Sequence, residues 1–191
     1  MPSSGTSCRQ SKKQHAETNS SSSRRRHSAR PSNQLRGDLQ EYKGETFCPV
    51  AAWSTVRLFL IICMILNWVT LTIDFSNAFV QGNLPKSEPV WMKVPKGHKC
   101  ANGPEYCLKL KKSLYRHKVA PLLWHKHVTK SFKKLGLKQS AFDPCLWYNN
   151  NMILVQYVDD CGIRAPDMKI INKFIAGLEA EGLQLTCEGS F

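Results

Sequence analysis

The sequence predicts an α+β fold, an antiparallel-rich sheet with helices packed on one face. Three observations favour this class. Segments with helical apolar spacing and apolar runs of strand length follow one another without the regularity of parallel βαβ units. Two late apolar runs are joined by a short polar turn, which favours antiparallel neighbours. The hydrophobic fraction of 42% over 191 residues is sufficient for one core and a tail.

The charge is concentrated towards the beginning of the chain. The net charge of +13 indicates a polyanionic partner or an acidic surface. Residues 1–36 contribute eight Lys/Arg and one Glu, a net +7, so the remaining +6 makes the rest moderately basic. Residues 1–35 are rich in Ser and Arg and predict a disordered tail. Its basic run at residues 20–27 is either a localisation or phosphate-binding patch or a solvated linker.

The cysteine pattern argues against a zinc site. Eight cysteines are present, without a Cys-x-x-Cys pair and without His spacing typical of zinc fingers. Several lie inside apolar runs, which indicates buried thiols in a reducing compartment. The chain also lacks the apolar core of a secretory signal, so we expect it not to be secreted.

The longest apolar stretch predicts a buried helix at residues 51–66 and a strand at residues 68–75. Arg57 precedes the stretch and Asn67 interrupts it, so it falls short of the roughly twenty apolar residues of a membrane span. A small membrane protein anchored by residues 57–72 is the alternative. Asp74 lies at the end of the strand, where it is either a turn former or a placed carboxylate.

The middle of the chain predicts a loop, two strands and an amphipathic helix. Residues 81–104 are rich in Pro and Gly, with strands expected at 90–94 and 105–110. Pro121 suits the first turn of a helix that Gly136 terminates. One helix face is apolar, and the other is either a solvated face or a contact for backbone phosphates, with Lys126, Lys130, Lys133 and Lys134.

The last third of the chain predicts a hairpin with two acids at its tip. A strand at 145–148 and a turn at 149–151 lead into the apolar run 152–158, which is followed by Asp159, Asp160 and a second strand at 161–165. A helix at 167–181, ended by Gly182, and a strand at 183–187 complete the chain. Adjacent carboxylates are either an exposed turn or a site for a divalent cation that offsets their repulsion.

The three acids form one predicted site if their strands are neighbours. Strands lie about 4.8 Å apart in a sheet, so Asp74 would then reach the pair Asp159 and Asp160. Two metal ions about 3.5 to 4 Å apart can bridge such carboxylates and a nucleoside triphosphate. Successive strand residues point to opposite faces, so we expect the pair to be unequal ligands, with Asp159 the stronger.

Several short phrases occur in a fixed order that is similar to a known family. They are Arg36-Gly37-Asp38, Trp53-Ser54-Thr55-Val56-Arg57-Leu58, Ile73-Asp74-Phe75-Ser76-Asn77-Ala78-Phe79, Lys112-Ser113-Leu114-Tyr115, Ala120-Pro121, Asp143-Pro144-Cys145-Leu146, Tyr157-Val158-Asp159-Asp160 and Glu188-Gly189-Ser190-Phe191. From residue 36 to residue 191 the chain resembles the reverse transcriptase of copia-type long-terminal-repeat retrotransposons. The resemblance implies a palm-like sheet.

The resemblance also implies a reaction and its participants. The matching Asp74, Asp159 and Asp160 would bind two Mg²⁺ ions, with Mn²⁺ as a substitute, and catalyse templated DNA synthesis. The nucleotide would be lined by Phe75, Phe79, Tyr115, Tyr157 and Val158, although a core Phe is the alternative for Phe79. The partners would be deoxynucleoside triphosphates and an RNA or DNA template with its primer, with no membrane. The location would be cytoplasmic, in a virus-like particle, or nuclear.

The chain departs from the family pattern at several positions. Arg116, His117 and Leu122 stand where the family usually has Gly, Leu and Arg. If the Gly serves a positive φ or a close approach to the nucleotide, Arg116 obstructs it. Residues 36–191 resemble a palm with incomplete fingers and without a thumb or RNase H, cut from a longer polyprotein. A non-catalytic remnant that binds nucleic acid is therefore the second hypothesis.

Overall fold

The computed structural model describes residues 42, 44–87, 89–94 and 107–189. The predicted tail of residues 1–35 lies outside the described residues. The elements in chain order are α1 (Trp53–Leu66), β1 (Val69–Asp74), α2 (Ala78–Gln81), β2 (Trp91–Lys93), β3 (Cys107–Lys109), α3 (Ala120–Lys134), β4 (Lys138–Gln139), β5 (Leu146–Asn149), β6 (Met152–Tyr157), β7 (Asp160–Ala165), α4 (Met168–Ala180) and β8 (Thr186–Gly189).

These elements confirm the α+β class and the predicted order. Each helix and strand expected within the described ranges is present, with its ends shifted by up to three residues. The prediction of a buried helix at residues 51–66 is wrong in one respect, because α1 is buried only on the side that faces the sheet. The sequence did not predict the short α2 and β4. Within the described ranges, α1 has 14 residues, and no helix has the length and apolar character needed to cross a bilayer.

The main sheet places an early strand beside the late hairpin. Its six strands have the order β4-β5-β6-β7-β1-β8, and all neighbouring strands in it are antiparallel. β1 therefore lies between β7 and β8, although residues 75–159 separate it from β7 in the chain. The pair β2 and β3 forms a separate two-stranded unit, in which Lys109 Nζ lies 5.8 Å from the centroid of the Trp91 ring.

The helices cover both faces of this sheet, so the prediction that they pack on one face is wrong for α1. Leu154 and Ile163 point into the core beneath α3 and α4. Val155, the next residue along β6, packs instead with Phe59 and Cys63 of α1. Because successive strand residues point to opposite faces, α1 lies across the sheet from α3 and α4.

Two helices end as the sequence predicted. Gly136 follows α3 with φ +83° and Gly182 follows α4 with φ +86°, the left-handed conformation that glycine adopts without steric cost. Leu137 N–H donates to the Phe132 carbonyl and Gly136 N–H to the Lys133 carbonyl, a Schellman motif that satisfies the last carbonyls of α3.

The beginning of α1 depends on a residue from much later in the chain. The carboxylate of Asp143 accepts hydrogen bonds from the Ala52 N–H at 3.0 Å and from the Thr55 hydroxyl at 2.5 Å. Ala52, the N-cap residue, has no acceptor side chain, so Asp143 supplies the capping group from a distance. This contact fixes α1 against the segment that leads into β5.

Candidate active site

Two of the three predicted acids are direct partners across neighbouring strands. Asp74, the last residue of β1, is the Cα partner of Asp160, the first residue of β7. Asp160 is also the partner of Tyr157 in β6, and Asp74 is the partner of Thr186 in β8. Directly opposed residues share a face of an antiparallel sheet. Tyr157, Asp160, Asp74 and Thr186 therefore form one row across four strands, which we call the acid row.

Asp159 lies beside this row in a tight turn. Val158 and Asp159 are the two residues between β6 and β7, so Asp160 begins the strand and is not at the tip. The Phe75 N–H donates to the Asp159 carbonyl oxygen at 2.9 Å, which ties the turn to the end of β1. Val158 has φ +58°, a strained conformation for a β-branched residue. Such strain persists only where surrounding contacts hold it.

Two side chains hold the strained turn. The indole Nε1–H of Trp124 donates to the Val158 carbonyl oxygen at 2.8 Å, and the Gln156 Nε2 amide donates to the same oxygen at 3.3 Å. The Trp124 ring also packs edge-on against Phe75, with 5.0 Å between ring centroids. Trp124 lies on the apolar face of the predicted amphipathic helix, and its hydrogen bond to Val158 positions the acid-bearing turn.

The carboxylates interact electrostatically. Burial raises the pKa of Asp160 above its ordinary value, and the charges of Asp159, Asp74 and Glu188 raise it further. Glu188 lies on β8, and the sequence analysis includes it only within the phrase Glu188-Gly189-Ser190-Phe191. A nearby cation stabilises the ionised form of a carboxylate that is surrounded by other negative charges.

The donor set fits a hard divalent cation, although the side chains do not enclose one. Among the residues that the structure describes, no group of three or more His, Cys, Asp and Glu side chains is arranged to hold a metal ion. Carboxylate oxygens are nevertheless the ligands that Mg²⁺ and Mn²⁺ prefer. The raised pKa of Asp160 indicates negative charge that such an ion would neutralise.

The predicted nucleotide-binding residues divide into three groups. Phe79 and Tyr115 meet edge-on with 5.3 Å between ring centroids, Phe79 half-buried and Tyr115 39% exposed. Tyr157 is 48% exposed within the acid row, and Val158 lies in the turn. Phe75, in contrast, is 1% exposed. Its ring belongs to the core against Trp124, so the structure does not support the predicted contact of that ring with a nucleotide.

A buried glutamine holds the loop that follows Asp74. Gln81 Nε2 donates to the carbonyl oxygens of Ser76 at 2.8 Å and Gln184 at 2.9 Å, while its Oε1 accepts from the Gln184 N–H at 2.9 Å. Gln81 thereby joins the turn after β1 to the segment before β8. The sequence around Gln81 does not predict this role, because Gln184, its hydrogen-bond partner, lies 103 residues away.

The predicted lysines form a groove apart from the acids. With Thr129, they line an open groove of about 510 Å³ on the exposed face of α3, and they are Lys126, Lys130, Lys133 and Lys134. Lys134 Nζ also forms an ion pair with Glu181. α3 packs on the face of Ile73 and Cys161, whereas Asp74 and Asp160 alternate to the other face. The structure therefore does not bring these lysines to the acid row.

The departure at Arg116 falls on a position with special backbone geometry. Arg116 has φ +67°, the left-handed region in which a Cβ atom is unfavourable and glycine is not. Of the two reasons considered for the family's Gly, a positive φ is observed at this position in the chain, whereas a close approach to a nucleotide stays a prediction. In this chain a bulky residue, Arg116, adopts the left-handed conformation directly after Tyr115.

Comparison with known proteins identifies the class of this chain. The family model described as "Reverse transcriptase (RNA-dependent DNA polymerase)" matches residues 6–185. The chain therefore belongs to the reverse transcriptase family.

Its similar relatives are retrotransposon polyproteins. The chain is 32% identical over 134 residues to the Retrovirus-related Pol polyprotein from transposon TNT 1-94 of Nicotiana tabacum, covering 68% of this chain and 10% of that protein. It is 30% identical over 138 residues to the corresponding polyprotein from transposon RE1 of Arabidopsis thaliana, covering 70% of this chain and 9% of the relative. The predicted resemblance is confirmed, and the chain spans about a tenth of the length of these relatives.

Proposed function

We propose that this chain forms the palm of a reverse transcriptase and catalyses templated DNA synthesis by nucleotidyl transfer with two divalent ions. The observation that supports the proposal most directly is the cross-strand pair of Asp74 and Asp160, with Asp159 in the adjoining turn. A carboxylate from early in the chain and two from late in it thus meet at one end of the sheet. The substrates would be deoxynucleoside triphosphates and a primer on an RNA or DNA template.

The protein contributes positioning and electrostatics. Asp74, Asp159 and Asp160 would hold the ions, with Asp159 proposed as the stronger ligand of the late pair. When bound, Mg²⁺ or Mn²⁺ would lower the pKa of the primer 3′-hydroxyl and neutralise charge on the leaving pyrophosphate. The hydrogen bonds of Trp124 and Gln156 to Val158 would keep the turn, and with it the carboxylate of Asp159, in place.

The aromatic pair beyond β1 would receive the incoming nucleotide. Phe79 follows Asp74 by five residues in the sequence. Its ring contacts the ring of Tyr115, which lies in the loop before α3. Both rings are partly open to solvent. We propose that Phe79 packs against the sugar and that replacing it with Ala raises the incorporation of ribonucleotides relative to deoxyribonucleotides.

The lysine groove of α3 would bind nucleic-acid backbone outside the reaction site. Four exposed lysines along one helix face, of which Lys134 also pairs with Glu181, suit a row of phosphates, and such contacts weaken as salt concentration rises. Because the groove is on the other side of the sheet, replacing Lys126 and Lys130 with Ala is expected to weaken binding of a primer–template without changing the rate at saturating nucleic acid.

Primer extension on an RNA template tests the proposal. The full chain is compared with Asp159→Asn and with Asp167→Asn, a matched change at an exposed helix cap outside the acid row. We expect extension by the full chain and by Asp167→Asn, and a loss of at least a hundredfold for Asp159→Asn, within the range that transition-state charge stabilisation contributes. Equal extension by all three proteins would refute the role of the acid row.

The alternative is a non-catalytic member of the family that still binds nucleic acid. The strained Arg116 beside Tyr115 is the observation that favours it. An Arg116→Gly variant separates the two cases. If neither the full chain nor this variant extends a primer while both retain binding, the alternative holds. Extension gained only by the variant would locate the defect at Arg116.

A further inference from the structure

Gln81 uses its whole side-chain amide to bind main-chain groups. The residue is 7% exposed, and its Nε2 donates to the carbonyl oxygens of Ser76 at 2.8 Å and Gln184 at 2.9 Å. Its Oε1 accepts from the Gln184 N–H at 2.9 Å. Both amide hydrogens and one acceptor position are therefore occupied. A buried amide bonded in this way fixes the helix that carries it with respect to both partners.

α2, which carries Gln81, is too short to hold its own position. It has four residues, and its N-cap residue, Asn77, makes no side-chain capping bond. The first turn of a helix fixes about six backbone dihedrals for one hydrogen bond, so a single turn is unstable by itself. α2 is therefore held by the packing of Ala78 in the core and by bonds at its end.

The end of α2 also holds the segment that leads to Tyr115. The Gly82 carbonyl oxygen accepts from the Ser113 N–H at 3.0 Å. The next residues along both segments, Asn83 and Lys112, form an antiparallel bridge. Since Tyr115 follows Ser113 by two residues, a displacement of α2 is expected to displace Tyr115 as well.

Gln81 thereby connects two aromatic rings to the end of β1. The rings are those of Phe79 and Tyr115, the aromatic pair, with 5.3 Å between their centroids. Ser76 follows Asp74 by two residues, and the other partner of Gln81 lies in the segment before β8, which pairs with β1. The position of the aromatic pair relative to Asp74 therefore depends on the three hydrogen bonds of Gln81.

The carboxylates are held without Gln81. Asp74 and Asp160 are paired directly across β1 and β7. The carbonyl oxygen of Asp159 accepts from the Phe75 N–H at 2.9 Å. Neither contact includes the Gln81 amide, so loss of that amide is expected to move the aromatic pair and to leave the carboxylates in place.

We infer that Gln81 is a positioning residue that determines how strongly the site prefers deoxyribonucleotides to ribonucleotides. The inference rests on the proposed function, in which Phe79 packs against the sugar of the incoming nucleotide. The two kinds of nucleotide differ by one hydroxyl group, so a ring that excludes this group has to be held closely. Packed groups respond to a change of a single methylene, and a loosely held α2 would let the ring move away from the hydroxyl.

Steady-state primer extension with dATP and with ATP tests the inference. Gln81→Leu keeps a side chain of similar size and removes all three hydrogen bonds. We expect the ratio of kcat/KM for dATP to kcat/KM for ATP to fall about tenfold, as for the loss of one or two hydrogen bonds, with a higher KM for dATP. The kcat for dATP and the Mg²⁺ concentration for half-maximal extension should stay close to those of the original chain, because the acid row is intact.

Phe79→Ala shows whether Gln81 acts through the aromatic ring. This variant is expected to lose the sugar preference, and the double variant with Gln81→Leu should lose no more of it than Phe79→Ala alone. Asp143→Asn is the matched control, since it weakens a buried hydrogen-bond cluster at the start of α1. Asp143→Asn is expected to keep the sugar preference of the original chain.

A second variant and a binding measurement keep the test decisive. Gln81→Glu retains the acceptor for the Gln184 N–H but loses the amide donors, and it replaces Gln81→Leu if thermal unfolding shows that Gln81→Leu is not folded. Gln81→Glu is also expected to lower the sugar preference. Equilibrium binding of dATP and of ATP, with Mg²⁺ and a primer–template, gives this preference for a chain that binds nucleotide without extending a primer.

The outcomes separate the inference from the proposed function. If the original chain neither extends a primer nor binds dATP, the proposed function fails and the inference fails with it. If the original chain prefers dATP and the folded Gln81 variants prefer it equally, only the inference is overturned. An original chain without a sugar preference, or an equal loss of preference in Asp143→Asn, overturns the inference as well.

Discussion

The indole N–H of Trp124 in α3 donates a hydrogen bond of 2.8 Å to the main-chain carbonyl oxygen of Val158. The two residues are 34 positions apart, and Val158 is the strained first residue of the turn that carries Asp159. A helix in the core thus reaches the end of the sheet where the carboxylates meet. The bond links the packing of α3 to the geometry of the proposed active site.

Trp124→Phe is expected to lower the free energy of unfolding and to raise the Mg²⁺ concentration that primer extension needs. The change keeps an aromatic ring but leaves the Val158 carbonyl with only the longer bond from Gln156. Loss of one such bond costs about 1 kcal/mol in the free energy of unfolding. Because the turn is then held less firmly, we expect the Mg²⁺ concentration for half-maximal primer extension to rise several-fold. Urea unfolding and a Mg²⁺ titration measure the two effects.

Trp147→Phe is the matched control for this change. Trp147 is fully buried, and its Nε1–H has no hydrogen-bond partner among the residues that the structure describes. Removing an unpaired buried donor relieves a desolvation penalty, so this variant is expected to lose little or no stability. If both variants lose equal stability, the lost ring volume rather than the bond to Val158 explains the result.

Arg116→Gly is expected to stabilise the fold. Arg116 has φ +67°, and an L-residue pays about 1 kcal/mol or more in the left-handed region that glycine does not pay. We expect the urea midpoint to rise by the equivalent of about 1 kcal/mol. Asn77→Gly is the control, since Asn77 has φ +54° but asparagine tolerates this region. Equal gains at both positions would show that strain at Arg116 is not special.

Asp143→Asn is expected to make the fold less stable at neutral pH and less sensitive to acid. Burial alone would raise the pKa of Asp143, but hydrogen bonds from Thr55, the Cys145 N–H and the Ala52 N–H outweigh it, and the pKa lies below its ordinary value of 3.8. Such a carboxylate stabilises the fold above the unfolded pKa, and the contribution is lost as pH falls through the lower, folded pKa.

The measurement is the free energy of unfolding from pH 7 down to pH 3. The difference in the free energy of unfolding between the original chain and Asp143→Asn should be constant above about pH 5. It should become smaller as the pH falls below the ordinary pKa of aspartate. Asp167→Asn, at the exposed cap of α4, is expected to show a small gap throughout. A gap at Asp143 that widens in acid would contradict the capping role.

The sequence was sufficient for the features that depend on local patterns. Apolar periodicity located the helices and strands, and Gly136 and Gly182 located two helix ends. The hypothesis that Asp74 and the late acids lie on neighbouring strands is confirmed by the pairing of Asp74 with Asp160. The helix ends and the late hairpin follow from residue spacing, whereas the pairing of Asp74 with Asp160 joins strands that are distant in the chain and was only a condition of the predicted site.

The remaining features depend on contacts between distant residues. α1 is apolar on nearly all sides, so its sequence does not indicate which side faces the sheet or which face of the sheet it covers. The partners of Trp124, Gln81 and Asp143 lie 34, 103 and 91 residues away. A positive φ at Val158 runs against the preference of β-branched residues, so local propensity predicts the opposite.

Asp160→Asn is expected to stabilise the metal-free fold and to reduce the response to metal. Burial and the charges of Asp159, Asp74 and Glu188 raise the pKa of Asp160. For a raised carboxyl pKa, the stabilising contribution is present below the ordinary value of 3.8 and is lost as pH rises through the folded pKa. At pH 7 without metal, the variant should therefore unfold at a higher urea concentration than the original chain. The gain in the free energy of unfolding should be under about 1 kcal/mol, because the side chain is exposed to solvent.

With Mg²⁺ or Mn²⁺ added, the original chain should have a higher free energy of unfolding than Asp160→Asn. An ion held by Asp74, Asp159 and Asp160 binds the folded chain in preference to the unfolded one and raises its free energy of unfolding. The original chain is expected to gain stability with increasing metal, and Asp160→Asn to gain less. Glu179→Gln, an exposed change on α4, should respond as the original chain does. If the metal stabilises Asp160→Asn and the original chain equally, the ion binds away from the acid row.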